Sequence, residues 1–460
     1  MRISQTPFTR IRSTITLFYI LASVLVQAQV TRYDVVSEWK KDELILVNVT
    51  THPVTRFNST QKMLKVASQP FKFVIFCQAT TEACSKMEKG LNSAAARISS
   101  VITIRSTINV RVTVESFCDG VMDASCARNG VLAQTSTASH FIHNPDKTPI
   151  NEAPESESMY PQALYKQLPI NPVPVYNEWD IYASFNTDIP YWYSQDDVDI
   201  RSKQVDFELI ACHEILHGLG FDNSWVDWSS MFGSQGMDYN AFLPLVTLGK
   251  TSASPQVIAL SWSKQRIYDR FLYDGESKRQ LNEVLVDLKS RIQVNGQPFK
   301  TLTEQIKSDP IAYEITTSLM KSATSGQLFF TIFRGGVRVN IPVFAPPKFS
   351  MGSSVGHLDL PSFQKTPDFL MVPYVTPFQG RTLDTVINSN RRQGQTFGIF
   401  GAVSLAMMKT MGWESEFEPD MKMFATGQYS IGASSDANSI TSAATLFIMG
   451  ISALVLSMAA

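Results

Sequence analysis

The chain has 460 residues, 44% of them hydrophobic and 18% charged, with 40 Lys+Arg against 41 Asp+Glu. That length allows one or two domains with a sizeable core. A formal net charge of -1 excludes nucleic-acid binding driven by bulk charge, and 23 Gly with 23 Pro exclude collagen-like and low-complexity classes.

The N-terminus sets Arg2, Arg10 and Arg12 before an uncharged apolar run over residues 15–26, followed by Gln27 and Ala28. A basic start, a short apolar stretch and a small residue at the cut predict a secretory signal over 1–28. The run falls short of the roughly 20 residues that cross a bilayer. Its removal takes away three arginines and no acid, leaving a mildly acidic chain. Residues 29–68 are polar and aperiodic and read as an N-terminal extension or a pro-segment. They carry the sequons Asn48-Val49-Thr50 and Asn58-Ser59-Thr60, both predicted glycosylation sites in a secreted protein, with His52 exposed between them.

Secretion permits disulfides, and there are five cysteines. Cys77 and Cys84 are close in sequence, as are Cys118 and Cys126, although four cysteines allow three pairings. Cys212 is left over and reads as a buried helix residue. An apolar run at 73–76, extended by Phe71, predicts a buried strand. Met87, Leu91, Ala94 and Ile98 recur at helical spacing, and 108–114 alternates with period two. Strand, helix and strand in this order predict a βαβ unit with a parallel pair.

His140 and His143 show no helical period and read as loop or surface residues before a loop at 144–161. A second alternating strand is predicted over 180–186 and a helix over 204–216, with Val205, Leu209, Cys212 and Leu216 on one face. Further helix falls within 264–292, strand around 328–344, and a last helix over 403–411. At the C-terminus, small residues at 432–435, a polar spacer and an uncharged apolar tail over 443–460 predict a GPI-attachment signal. A span would instead be followed by Lys or Arg on its cytosolic side. The expected partner there is a GPI lipid in the outer leaflet, which places the protein extracellularly at the cell surface or cell wall.

The chemistry lies in His213-Glu214-Ile215-Leu216-His217-Gly218-Leu219-Gly220-Phe221. Two His four apart share a helix face, so both imidazoles reach one metal ion. Glu214 beside them suits a general base toward a metal-activated water, the role that makes H-E-x-x-H a metalloprotease signature. Gly220 permits the left-handed turn that ends such a helix before a third ligand. The compact metzincin pattern puts His three residues after that Gly, where this chain has Asn223, so the third ligand lies elsewhere. The imidazoles left for it are His52, His140, His143 and His357, the last in Gly352-Ser353-Ser354-Val355-Gly356-His357-Leu358-Asp359, with Asp222, Asp227 and Asp359 as carboxylate rivals.

An H-E-x-x-H-G-L-G-F helix, a long insertion, then His357 and the Leu370-Met371 turn resemble the leishmanolysin-type metzincins. The resemblance implies one Zn2+ held by His213, His217 and His357, Glu214 as general base, and Met371 as the residue under the metal. The segment is also similar to secreted bacterial and fungal predicted peptidases sharing G-S-S-x-x-H-L-D, the stretch Tyr268 to Leu272 and a closing Gly412-Trp413, over roughly 180–413. Leishmanolysins are cysteine-rich, so their disulfide framework does not transfer. Tyr374 is a candidate oxyanion donor. By the same resemblance, strand 180–186 is the edge strand that pairs with an extended substrate.

The expected fold is α+β and metzincin-like. An N-terminal subdomain over 69–221 is a twisted mixed sheet ending in the active-site helix. A C-terminal subdomain over 222–420 is enlarged by the insertion, and 421–442 is a spacer. The expected function is a zinc metalloendopeptidase acting on a peptide or protein substrate. A zinc hydrolase of a non-peptide bond and a catalytically silent, zinc-stabilised surface protein are the alternatives.

Overall fold

A computed structural model of the chain describes residues 31–34, 48–51, 67–118, 131–143, 157–170, 173–229, 239–251, 254–334, 337–421 and 447–449. Its organising element is a mixed sheet. Strands β3 (Phe71–Cys77), β4 (Ile108–Glu115) and β8 (Ile181–Asn186) run parallel, and β5 (Val131–Thr137) joins β8 antiparallel. The short strand Phe447–Met449 lies parallel to β5, which gives the order Phe447–Met449, β5, β8, β4, β3. In β4 the alternation holds along its length: Ile108, Val110, Val112 and Val114 are buried, and the residues between them are half-buried. One face of the sheet therefore meets the core.

Helix α1 (Thr81–Ser99) crosses from β3 to β4, so the βαβ unit forms as expected. Thr80 caps it through a side chain that accepts from Ala83 N–H, and Met87, Leu91, Ala94 and Ile98 face inward. Cys77, at the end of β3, is bonded to Cys84 in the first turn of α1. Cys118 is also disulfide-bonded, and Cys212 is a buried free thiol. Cys126, Asn58 and His52 lie outside the described residues. Asn48 begins strand β2 (Asn48–Thr51). That strand belongs to a second, antiparallel sheet with β1 (Thr31–Asp34), β6 (Ser139–His143) and β7 (Ser158–Pro161), in the order β2, β1, β6, β7.

Two expectations are corrected here. His140 and His143 are strand residues of β6, not loop or surface residues. His140 is buried with its Nε2 2.9 Å from the Thr137 hydroxyl, and His143 packs edge-on against Tyr160 and Tyr165. Too few residues stood between turns there for the period of two to declare itself. The strand at 181–186 is not an edge: β8 is flanked by β4 and β5. Its buried residues on both sides are those of an interior strand.

Helix α2 (Phe207–Gly218) lies against α1, β5 and β8, and every one of its residues is buried. It has no polar face because structure surrounds it, and the apolar stripe read from the sequence is only part of its contact surface. Gly218 is where it presses on the sheet: a Cβ there would sit 2.5 Å from Ile181 Cγ2. Asp206 caps its start, accepting from Glu208 N–H at 2.9 Å and from Leu383 N–H at 2.7 Å. The latter bond ties α2 to a helix at Leu383–Asn390 near the end of the domain.

The insertion after α2 is a packed body, not a loop. It holds α3 (Leu281–Arg291), α4 (Phe299–Ser308), α5 (Pro310–Ala323) and the hairpin of Leu328–Arg334 with Val337–Pro342. Helix α6 is the Leu383–Asn390 element already met, and α7 (Ala402–Met411) closes the domain. The whole is α+β. Among the described residues no helix is long and apolar enough to cross a membrane.

Burial pushes the Asp206 carboxyl up to about 6, against the two N–H groups that favour its ionised form. A folded pKa above the unfolded 3.8 means that its contribution to stability is complete below that pH and is lost as pH rises through about 6. Asn also caps well but does not ionise. In Asp206→Asn the fall in stability between pH 4 and pH 7 should be smaller than in wild type, by up to about 3 kcal/mol. Urea unfolding at the two pH values measures this, and equal falls in both proteins would contradict it.

Candidate metal centre

Three segments far apart in sequence bring the site together. Helix α2 supplies His213 and His217, one turn apart. Its end is set by Gly220, at φ +107°, and by Phe221 N–H, which donates to the Leu216 carbonyl. The Trp413 indole N–H donates to the Leu219 carbonyl at 3.0 Å, satisfying another orphan of the helix terminus. The turn at 352–357 supplies His357, fixed by exchange with Phe344: Val355 N–H donates to the Phe344 carbonyl, and Phe344 N–H to the His357 carbonyl. The 3₁₀ turn Phe369–Met371 closes the third side.

The three Nε2 atoms converge. They lie 3.0 Å apart for His213 and His217, 3.1 Å for His217 and His357, and 3.2 Å for His213 and His357. Each Nδ1 points away to a backbone carbonyl: His213 to Leu370 at 2.6 Å, His217 to Phe221 at 2.7 Å, and His357 to Ser353 at 2.9 Å. A carbonyl only accepts, so each Nδ1 carries the proton and each Nε2 presents a lone pair. Burial, reinforced by the neighbouring rings, holds His213 and His357 well below the usual histidine range, and burial also lowers His217. All three rings are thus neutral. Three lone pairs about 3 Å apart repel unless a cation lies among them, so the donor set and its orientation fit a metal ion.

The carboxylate rivals are engaged elsewhere. Asp222 is paired with Arg266, Asp227 accepts from Ser229, and Asp359 caps the helical turn Leu360–Phe363. Asn223, at the compact-pattern position, donates its amide to the Trp225 carbonyl.

Glu214 is fully buried, and neither carboxylate oxygen has a hydrogen-bond partner. Burial pushes its carboxyl up to about 8, opposed by the nearby Thr135 hydroxyl, which likewise has no formed hydrogen bond. Orphaned buried carboxylate oxygens are rare and mark a place built for a cation or a proton exchange. Met371 is fully buried, and its carbonyl accepts from Leu358 N–H at 2.8 Å, so the 3₁₀ turn grips the His357 segment as well as orienting His213. Tyr374 is half-buried, with its ring edge-on to Phe344, beside the His357 turn.

The family model described as SPBPB7E8-like matches residues 47–426. The chain belongs to the SPBPB7E8-like family. Among its relatives, the uncharacterized protein PB7E8.01 of Schizosaccharomyces pombe is 24% identical over 348 residues, which cover 70% of this chain and 57% of that protein. The chain therefore spans a little over half the length of that curated relative. No solved structure matches.

Sequence reasoning missed the carbonyls of Leu370, Phe221 and Ser353, and it missed Thr135. Every residue carries a carbonyl, so only the fold singles these out. In this SPBPB7E8-like chain a divalent cation should raise the melting temperature of metal-stripped protein, because it binds the folded donor set and not the unfolded one. In His357→Ala that gain should largely vanish. Equal shifts with zinc in wild type and His357→Ala, read by calorimetry, would remove His357 from the centre.

Proposed function

We propose that the protein is a zinc metalloendopeptidase of the metzincin type, related in plan to the leishmanolysins. The observation that carries the reading is the pairing of a three-histidine donor set with an adjacent carboxylate that has no structural bond of its own. A structural zinc site fills four positions with protein ligands and needs no spare acid. Here the described residues offer three.

His213, His217 and His357 would hold the ion, which when bound supplies Lewis acidity toward a carbonyl and makes water a nucleophile near neutral pH. Glu214 takes the proton of the attacking water and returns it to the leaving amine. Burial alone raises its carboxyl to about 8, and a cation held on the three histidines would draw it back toward the ionised form that accepts a proton. The Leu370, Phe221 and Ser353 carbonyls keep the three rings in the ligating tautomer. Tyr374, at the rim near the His357 turn, is the candidate oxyanion donor.

An extended peptide substrate would lie along β5, not along β8. The strand Phe447–Met449 already lies along that edge, with Met449 opposite Gln134, the neighbour of Thr135 near Glu214. The edge thus takes an added strand, the mode by which a sheet reads an extended chain. We read residues 1–28 as a secretory signal and 443–460 as a GPI-attachment signal. Processing of the latter would vacate the β5 edge and expose a protease at the cell surface.

Glu214→Gln keeps the shape of the side chain and removes the proton acceptor. Hydrolysis of a mixed peptide library should fall by at least about 100-fold, the range general-base loss commands, with zinc content unchanged. Full cleavage by Glu214→Gln would overturn the protease mechanism. Zinc uptake without cleavage of any peptide by wild type would favour a non-peptide bond or a silent site.

A further inference from the structure

Arg266, Tyr268 and Asp269 lie within the insertion and touch no ligand imidazole, yet they reach both of its ends. Arg266 pairs with Asp222 and donates to the Asn223 carbonyl at 3.3 Å. Asp269 accepts from the Ser224 backbone N–H at 2.9 Å and from the Ser224 hydroxyl. These bonds hold the chain directly after Phe221, whose carbonyl orients His217. Tyr268 reaches the other end: its hydroxyl donates to the Val355 carbonyl at 2.9 Å, two residues before His357.

Val355 is a strained residue. Its φ is +68°, a left-handed region that a β-branched side chain enters only where its surroundings compel it. The compelling groups are on the page: Val355 N–H is bound by Phe344, its carbonyl by Tyr268, and its side chain is buried. Tyr268 is itself packed on both sides. It is fully buried, with its ring between those of Phe221 and Phe330, at 5.4 and 5.0 Å. One buried residue therefore contacts the residue that orients His217 through its ring, and the turn that carries His357 through its hydroxyl.

We infer that Tyr268 is a positioning residue of the metal centre, the keystone of a clamp with Arg266 and Asp269 that fixes His357 against His213 and His217. The inference rests on the three histidines holding a metal ion. A residue that holds ligands in place without touching the metal sets affinity through geometry, and its loss lowers metal binding by about 10–100-fold. The strained Val355 turn is then free to relax, and His357 loses its aim.

The test uses the full chain and zinc alone, competed against a chromophoric chelator, with circular dichroism to verify the fold. Tyr268→Phe should bind zinc about 10–100-fold more weakly than wild type. Tyr273→Phe is the control: it removes a hydroxyl from the same body, one that accepts from Arg338 Nη2 of the hairpin at 3.0 Å and not from the His357 turn, and should leave zinc affinity unchanged. Wild-type affinity in a folded Tyr268→Phe overturns the inference, as does an equal loss in Tyr273→Phe. If Tyr268→Phe does not fold, Arg266→Gln decides by the same comparison, with unchanged affinity again overturning the clamp. Wild-type protein that takes up no zinc is a separate failure: it overturns the metal-centre reading and the clamp's role with it.

Discussion

The centre depends on a hydrogen-bonding constraint that acts on the far side of each ring. Three carbonyls take the three Nδ1 protons, and so decide that three lone pairs face one point in a buried space. Without those carbonyls each imidazole would be free to rotate, change tautomer or bond to its neighbour. With them, a cation among the Nε2 atoms would relieve their repulsion. The fold's task is therefore to deliver carbonyls as much as histidines. It does so from the end of a helix, a strained turn and a 3₁₀ turn. Each is a place where backbone groups stand outside regular ladders and are available.

That requirement explains features with no obvious part in chemistry. Phe221 can return its carbonyl to His217 because Gly220 turns the chain in the left-handed region immediately after the helix. Leu370 can reach His213 because the turn Phe369–Met371 is anchored from behind. Asp368 accepts from the backbone and hydroxyl of Ser404, in the first turn of α7. Met371 packs in full burial, and its backbone bonds Leu358, next to the third ligand. The methionine is buried in the core, and the carbonyl before it sets the tautomer of His213.

Much of this was legible in the sequence, and the limits are physical. The helix and the His213, Glu214 and His217 it carries are a local pattern at spacings that a helix dictates, so five residues sufficed to place both imidazoles on one face. The βαβ unit was legible for the same reason: α1 and β4 each show a long run of a single period. His357 was singled out only through a resemblance, because a histidine 140 residues from His217 obeys no local spacing. The carbonyls and the Thr135 hydroxyl were illegible, since backbone groups carry no residue signature and a strand threonine is ordinary. Strand order was illegible too. The alternation at 181–186 marks a strand but says nothing about its neighbours, and β8 proved interior, between β4 and β5.

The distance between the second and third ligands is 140 residues, and this looks costly for a site needing sub-ångström placement. Loop-closure entropy does not forbid it, since each doubling of length adds only about 0.6 kcal/mol. Placement is the harder problem: a long loop would let His357 wander. The insertion avoids this by being folded, with three helices and a hairpin of its own, and by fastening its two ends to one short segment. Ser224 binds Asp269, Val355 binds Tyr268, and the two partners are consecutive residues. In effect the 140-residue excursion is closed by two hydrogen bonds one residue apart. The spacing of His217 and His357 thus rests on Tyr268 and Asp269 together with the Phe344 exchange that holds the His357 turn.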